Sequence, residues 1–334
     1  MISAEERART GAEETTAFNL RALLGRYAFL LVLMGFVVFF SVRTDAFLSL
    51  GNLVNVLEGN AVLLIVALAM TLVVASGGID LSVGIAVDFG AAFAVVAMKD
   101  YSVTWQIAVV IAVMGGAIVG LLNAFLIVRL RVSPFLATLG TLFIGGSVQR
   151  IYTNGGGQVS FRKMPEGYRN LAVGSIFGIP TEIVIAAAVL VVYFVMLERS
   201  THGKRIHAIG LQSEASVVAG IRVKRYRWFV YVAAAATCAI GGVILTAGLR
   251  QYTPLAGFSY LLDAIGAVFI GAAMHPRRRP NIPGTLIGVL FLGVATNGLN
   301  LMGVDFNLKA ALTGIILVGA LAFSALQRRV TADG

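Results

Sequence analysis

Charge is scarce in this chain. Asp, Glu, Lys and Arg make up 13% of its 334 residues, against about 25% in soluble domains. So few charges cannot cover a water-exposed globular surface. With 58% hydrophobic residues and a mean hydropathy of +0.88, the composition is that of a polytopic membrane protein. Cysteine is nearly absent too. Cys238 stands alone in an apolar run, which excludes a disulfide framework and a thiolate metal site. His202, His207 and His275 all lie in loops, with neither a carboxylate set nor metal-ligand spacing. No nucleophile is paired with a base. The phosphate-binding pattern G-x-x-x-x-G-K-[ST] is missing, because Gly203-Lys204 is followed by Arg205 and lacks the first glycine. The net charge of +10 does not point to nucleic acid, since the Lys and Arg sit in loops between apolar runs.

What the chain does have is long apolar runs. Ten reach or approach the roughly 20 residues of a membrane span: 26–42, 57–76, 80–98, 104–128, 134–151, 182–198, 228–249, 261–274, 284–302 and 306–326. The expected fold is therefore all-α, with about ten transmembrane helices. It divides into a tail (1–25), a membrane domain (26–326) and a second tail (327–334). Glu5, Glu6, Glu13 and Glu14 precede the first run, so no cleavable signal is expected and that run stays as a span. An even number of spans puts both termini on one side. With the termini in the cytoplasm, 18 of the 26 Lys and Arg fall on the cytoplasmic side, in tails and loops, as the positive-inside rule requires. The longest external segment, Tyr152 to Thr181, is Gly-rich and carries Pro165 and Pro180; it reads equally as a flexible loop or as the receiver of an external partner. A five-plus-five division around it allows two inverted halves.

The longest basic loop, 199–227, has internal order. Gly203, Gly210 and Gly220 punctuate it. Ser213 can cap a helix, Glu214 suits a helix N-terminus and Gly220 can stop it, leaving room for about two turns. Ala215, Val218 and Ala219 share one face at helical spacing. A helix this short is unstable alone in water, so its small apolar face implies a groove that receives it. The plainer alternative is a basic loop that only fixes topology.

Polar residues inside the spans are few. Ser76-Gly77-Gly78-Ile79-Asp80-Leu81-Ser82-Val83-Gly84 breaks the helix, and Asp80 or Ser82 can cap the next one. Irregular backbone at membrane depth survives only buried in protein or lining a cavity; a tight surface turn is the other reading. Asp88 is a carboxylate within a span, and such groups usually face a bundle interior. It reads as a proton site, a substrate contact or a buried hydrogen-bonded carboxylic acid. Asn123 lies near the inner end of the fourth run. Ser133-Pro134-Phe135-Leu136-Ala137-Thr138-Leu139-Gly140 opens the fifth, where proline fits a first turn. Gly284-Thr285-Leu286-Ile287-Gly288 opens the ninth, and Asn297-Gly298-Leu299-Asn300-Leu301 ends it.

Several of these runs carry a resemblance. Glu214-Ala215-Ser216, three more residues and Gly220 resemble the coupling loop of ABC-importer permeases, with Ser216 where Ala is usual. Thr201-His202-Gly203-Lys204-Arg205 followed by Ala208-Ile209-Gly210, the Ser76–Gly84 run, the Pro134–Gly140 run and the Asn297–Leu301 run are similar to the ribose or monosaccharide branch of that family. The departure is Met274-His275-Pro276-Arg277-Arg278-Arg279-Pro280, which replaces a Ser- and Gly-rich loop. The resemblance implies a non-catalytic permease in the bacterial inner membrane, multi-pass, with both termini cytoplasmic. It implies a separate ATPase subunit that holds ATP and Mg, a periplasmic sugar-binding protein, a second permease copy and a small polar solute as cargo. It places coupling to the ATPase on Gly203, Arg205, Gly210, Glu214, Ala215 and Gly220. Candidates along the substrate path are Asp80, Ser82, Asp88, Asn123, Thr138, Asn297 and Asn300. The competing class is an ion-coupled secondary transporter using Asp88.

Overall fold

The computed structural model describes residues 29–305 and isolated positions between 308 and 322. The two expected tails, and most of the run at 306–326, lie outside the described residues.

Each of the other expected spans falls on helix. The helices are α1 (Phe29–Arg43), α2 (Leu50–Gly59), α3 (Ala61–Ala75), α4 (Val83–Lys99), α5 (Trp105–Ala124), α6 (Pro134–Tyr152), α7 (Glu166–Val173), α8 (Thr181–Phe194), α9 (Thr201–Leu211), α10 (Ser213–Val218), α11 (Val223–Leu249), α12 (Phe258–Met274) and α13 (Ile282–Leu301). Five-residue π-helical turns extend α5 to Arg129 and α8 to Arg199. Among the described residues, four helices are long and apolar enough to cross a membrane, or five if the pair α2–α3, bent by 45°, is one span.

The sequence explains where each helix sits. Helix α3 is apolar on every side and nearly all of its 15 residues are buried, as expected of a helix with neighbours all round. Helix α11, at 27 residues the longest, packs on α3, α4 and α5. Small residues allow that closeness, as they do between helices in lipid. Gly120 of α5 faces the backbone of Tyr231 and Val232 on α11, and Gly90 of α4 faces Ala239. A second unit joins α12 to α13, with Gly271 against Gly284 and Gly288 against Ala267. Helix α8 lies outside α3 and is mostly uncovered.

The segment expected as a Gly-rich loop contains more order than its composition suggests. It forms α7 and three short strands: β1 (Val159–Ser160), β2 (Ser175–Ile176) and β3 (Ile179–Pro180). Strand β1 pairs antiparallel with β4 (Gln251–Tyr252), and β2 pairs with β3. The Tyr168 hydroxyl lies 2.6 Å from Thr246 Oγ1, which fastens α7 to α11.

The basic loop corrects two local expectations. Gly203 and Gly210 do not punctuate it; both lie inside α9, whose N-cap Ser200 accepts from Gly203 N at 3.1 Å. Ser213 does not cap α10. Gln212 holds the cap position, and the Ser213 hydroxyl instead accepts from Arg227 Nη2 at 3.2 Å.

Candidate functional site

Helix α3 stops at Ala75 because Ser76-Gly77-Gly78 cannot continue it. Gly77 takes φ +85°, a conformation that a side chain resists by about 1 kcal/mol or more. The chain re-enters helix only at Val83. In the gap, Asp80 Oδ1 accepts from Ser82 N at 2.8 Å and from Ser82 Oγ at 2.6 Å. Asn123 Nδ2 donates to Ser82 Oγ at 2.7 Å, and Thr141 Oγ1 donates to Asn123 Oδ1 at 2.6 Å. Thr138 Oγ1 accepts from Leu81 N at 3.1 Å. The break is thereby tied to α5 and α6. Asp80, Ser82, Asn123 and Thr138, all candidates from sequence, come together here, and all are buried. Asp80 Oδ2 and the Tyr231 hydroxyl are buried without a partner. Thr141 belongs to the network but carried no motif of its own; its place one helical turn after Thr138 was the available signal.

Asp88 is apart from this group, deeper along α4. Its carboxylate accepts from Gly257 N at 2.8 Å and it is buried. The partner segment is irregular chain between β4 and α12. Gln149 of α6 lies beside Asp88 and accepts from Tyr252 Oη and Leu255 N, both at 2.9 Å. Asn297 is at the other end of the bundle, in reciprocal 3.0 Å hydrogen bonds with Asn52 of α2. Asn300 is exposed near the end of α13. The path candidates thus form one buried cluster and three separate positions. Gln149 and Asn52 were missed because an isolated amide in an apolar run gives no periodic signal.

The coupling candidates divide by depth. Glu214, Ala215 and Gly220 are exposed on α10 and its end. Gly220 has φ +77°, Gly220 N donates to Val217 O at 3.0 Å and Ile221 N donates to Ser216 O at 2.9 Å. That is a Schellman stop. Leu211, Val217 and Val218 are exposed at 81, 59 and 89%. Arg205 donates to Tyr226 Oη at 3.1 Å, anchoring α9 to α11. Gly203 and Gly210 face inward: a Cβ on Gly203 would overlap Leu197 O, and one on Gly210 would overlap Ala75 O.

His207 of α9 is buried, and its Nε2 has no hydrogen-bond partner. Burial, then the nearby Arg279 and His275, lower its pKa from 6.5 to about 4. Between those values the unfolded chain binds a proton that the folded chain excludes, so stability falls as pH falls through that window. Thermal denaturation in detergent, followed from pH about 7 to about 5, is expected to show this slope in the native chain and a shallower one in His207→Leu. Equal slopes would mean that His207 titrates as an exposed imidazole. Among the described residues, no group of three or more His, Cys, Asp or Glu could hold a metal ion.

Residues 52–321 match the family described as branched-chain amino acid transport system / permease component. Over 285 residues the chain is 34% identical to the ribose import permease protein of Bacillus subtilis (strain 168), covering 85% of this chain and 88% of that one. It is 32% identical over 293 residues to the ribose import permease protein of Escherichia coli (strain K12), covering 87% and 91%. To the galactose/methyl galactoside import permease protein of Escherichia coli (strain K12) it is 29% identical over 318 residues, covering 91% and 94%. No solved structure gives a significant match.

Proposed function

We propose, because this chain belongs to the permease-component family of branched-chain amino acid transport systems, that it forms the membrane path of an ABC importer for a monosaccharide. The observation that carries this reading is the pairing of two features. The short helix α10 packs on α9 and α11 through one side and leaves Val217 and Val218 exposed among the described residues, and the chain contains no phosphate loop of its own. Energy then enters at α10 from a separate ATPase that holds ATP and Mg. The sugar class rests on the names of the ribose and galactose relatives. With ten spans in a bacterial inner membrane, the expected count, α10 and both termini face the cytoplasm. A second permease copy completes the path, and a periplasmic binding protein delivers the solute on the side of β1–β4. The hydroxyl and amide cluster of Ser82, Asn123, Thr138 and Thr141 offers neutral donors and acceptors suited to a polyhydroxylated solute. Sugar selection rests largely with the binding protein, which is consistent with the absence of a cluster of charged side chains along the path among the described residues.

The test is energetic. The purified chain alone is expected to hydrolyse no ATP. Labelled ribose or galactose uptake into vesicles is expected to persist with an uncoupler present while internal ATP is maintained. Asp88→Asn is expected to keep uptake within about tenfold of the native chain, because Gly257 N can donate to an amide oxygen as it does to the carboxylate. Uptake that collapses with the proton gradient, or with Asp88→Asn alone, would make Asp88 an ion site and the chain a secondary transporter.

A further inference from the structure

The two helices that flank α10 both end their reach on the same pair of residues. Before α10, α9 lays Gly210 against the break: Gly210 Cα lies 3.1 Å from where a Cβ on Gly77 would sit, and a Cβ on Gly210 would lie 2.9 Å from Gly77 N. After α10, α11 places Tyr231 against Gly78, so that a Cβ on Gly78 would overlap the Tyr231 hydroxyl. That hydroxyl is buried and has no hydrogen-bond partner among the described residues. Beyond the glycines, the break leads straight into the Asp80–Ser82–Asn123–Thr141 network.

We infer that Gly77 and Gly78 are the positioning joint through which movement of α10 reaches the polar cluster: α9 pushes on Gly77, Tyr231 of α11 bears on Gly78, and the break hands the displacement to α5 and α6. The inference rests on the reading of α10 as the docking helix of an ATPase, and adds to it the route inside this chain. Physically, the joint needs two properties that the residues supply. Backbone-to-backbone contact at Gly210–Gly77 leaves no flexible side chain between α9 and the break to absorb a shift. A break in hydrogen bonding between α3 and α4 lets the linked segment turn without deforming either helix.

The test uses the complex of the full chain with its ATPase, with a maleimide probe placed by Ile79→Cys in a Cys238→Ala background. Labelling is compared with and without vanadate-trapped ATP. In the reference complex the trapped nucleotide is expected to change the labelling rate several-fold. Gly210→Ala is expected to abolish that change while the ATPase still co-purifies, because the new methyl pries α9 from the break. Gly78→Ala is expected to do the same through its overlap with the Tyr231 hydroxyl. Tyr231→Phe removes that oxygen and leaves the ring carbon Cζ at 3.4 Å, an ordinary contact. Adding it to Gly78→Ala is therefore expected to restore most of the nucleotide-dependent change, a coupling between the two sites that general damage to the fold would not produce. A Gly78→Ala/Tyr231→Phe pair as defective as Gly78→Ala, or a Gly210→Ala complex that responds to nucleotide like the reference, overturns the joint. Loss of the ATPase from Gly78→Ala overturns it too, because the contact would then govern assembly. If the unmodified chain itself binds no ATPase, the functional reading fails first and takes the inference with it.

Discussion

Ala215→Arg is expected to abolish uptake and release the ATPase, while the protein still inserts at normal levels. Ala215 is exposed on α10, on one face with Ala219 and with Val218, which is 89% exposed. Leaving such side chains in water forgoes about 1.5 to 3 kcal/mol each relative to full burial, so a groove that covers them supplies much of the docking energy. An arginine on that face must be desolvated without a partner, which costs several kcal/mol and exceeds what the remaining small face can return. The helix itself lies outside the bundle, so folding of the spans does not depend on it. Gly220→Asp is expected to act by a second route. At φ +77° the Schellman stop resists a side chain by roughly 1 to 2 kcal/mol, and the turn that orients α10 toward α11 is lost. Glu214→Gln removes only a charge at the helix N-terminus, about 0.3 to 1 kcal/mol, and is expected to be mild. Pull-down of the ATPase and uptake in vesicles check the series. Normal binding and transport by Ala215→Arg would reduce this segment to a loop that sets topology.

The apolar helices were legible because burial, whether by lipid or by neighbouring helices, imposes one rule on every residue. Runs such as the one giving α3 are apolar on all sides, and no other element tolerates them. The bend between α2 and α3 was not legible. Asn60 at that junction donates its side-chain amide to Val56 O at 2.7 Å, a local bond that composition does not announce. Helix α9 was missed for a more general reason. Its glycines look like breaks in a basic loop, yet Gly203 and Gly210 are there because Leu197 O and Ala75 O come too close for a Cβ. A glycine kept for tertiary contact cannot be distinguished in sequence from one kept for a turn. Gly220 and Gly77 were read correctly, because there the local conformation itself demands glycine.

The site divides the same way. Asp80, Ser82, Asn123 and Thr138 could be singled out as polar groups in apolar surroundings, but their joining into one network depends on how α4, α5 and α6 pack. Asn297 is equally polar and equally well placed in its helix. Its partner Asn52 lies 245 positions away in sequence, and nothing in either segment points to the other. The Schellman stop of α10, by contrast, lies within six residues, and the sequence specified it. Short-range chemistry was legible and long-range pairing was not.

Gly242→Val is expected to be the most damaging single change within the spans. Helices α4 and α11 cross here at backbone contact: a Cβ on Gly242 would overlap Val87 O and lie 2.8 Å from Ala91 N. Both are main-chain atoms in the middle of α4, so neither can rotate away. Overpacking a well-filled interior costs about 1 to 3 kcal/mol even where side chains can give; where only backbone opposes the new methyls, the helices must separate. Separation would also part Gly90 from Ala239 along the same seam, so the loss spreads beyond one contact. The yield of monodisperse protein in detergent is expected to fall by about tenfold or more. Gly241→Ala provides the contrast on the same helix, one residue away. Its Cβ would meet Val62 Cγ1 at 3.3 Å, the end of a side chain that can shift by a few tenths of an ångström. Its cost is expected to stay below about 1 kcal/mol, partly offset by the better helix propensity of alanine. Size-exclusion profiles and thermal denaturation of the two variants decide the matter. A Gly242→Val protein that remains as monodisperse and as heat-stable as Gly241→Ala would mean that α4 and α11 do not cross at backbone contact.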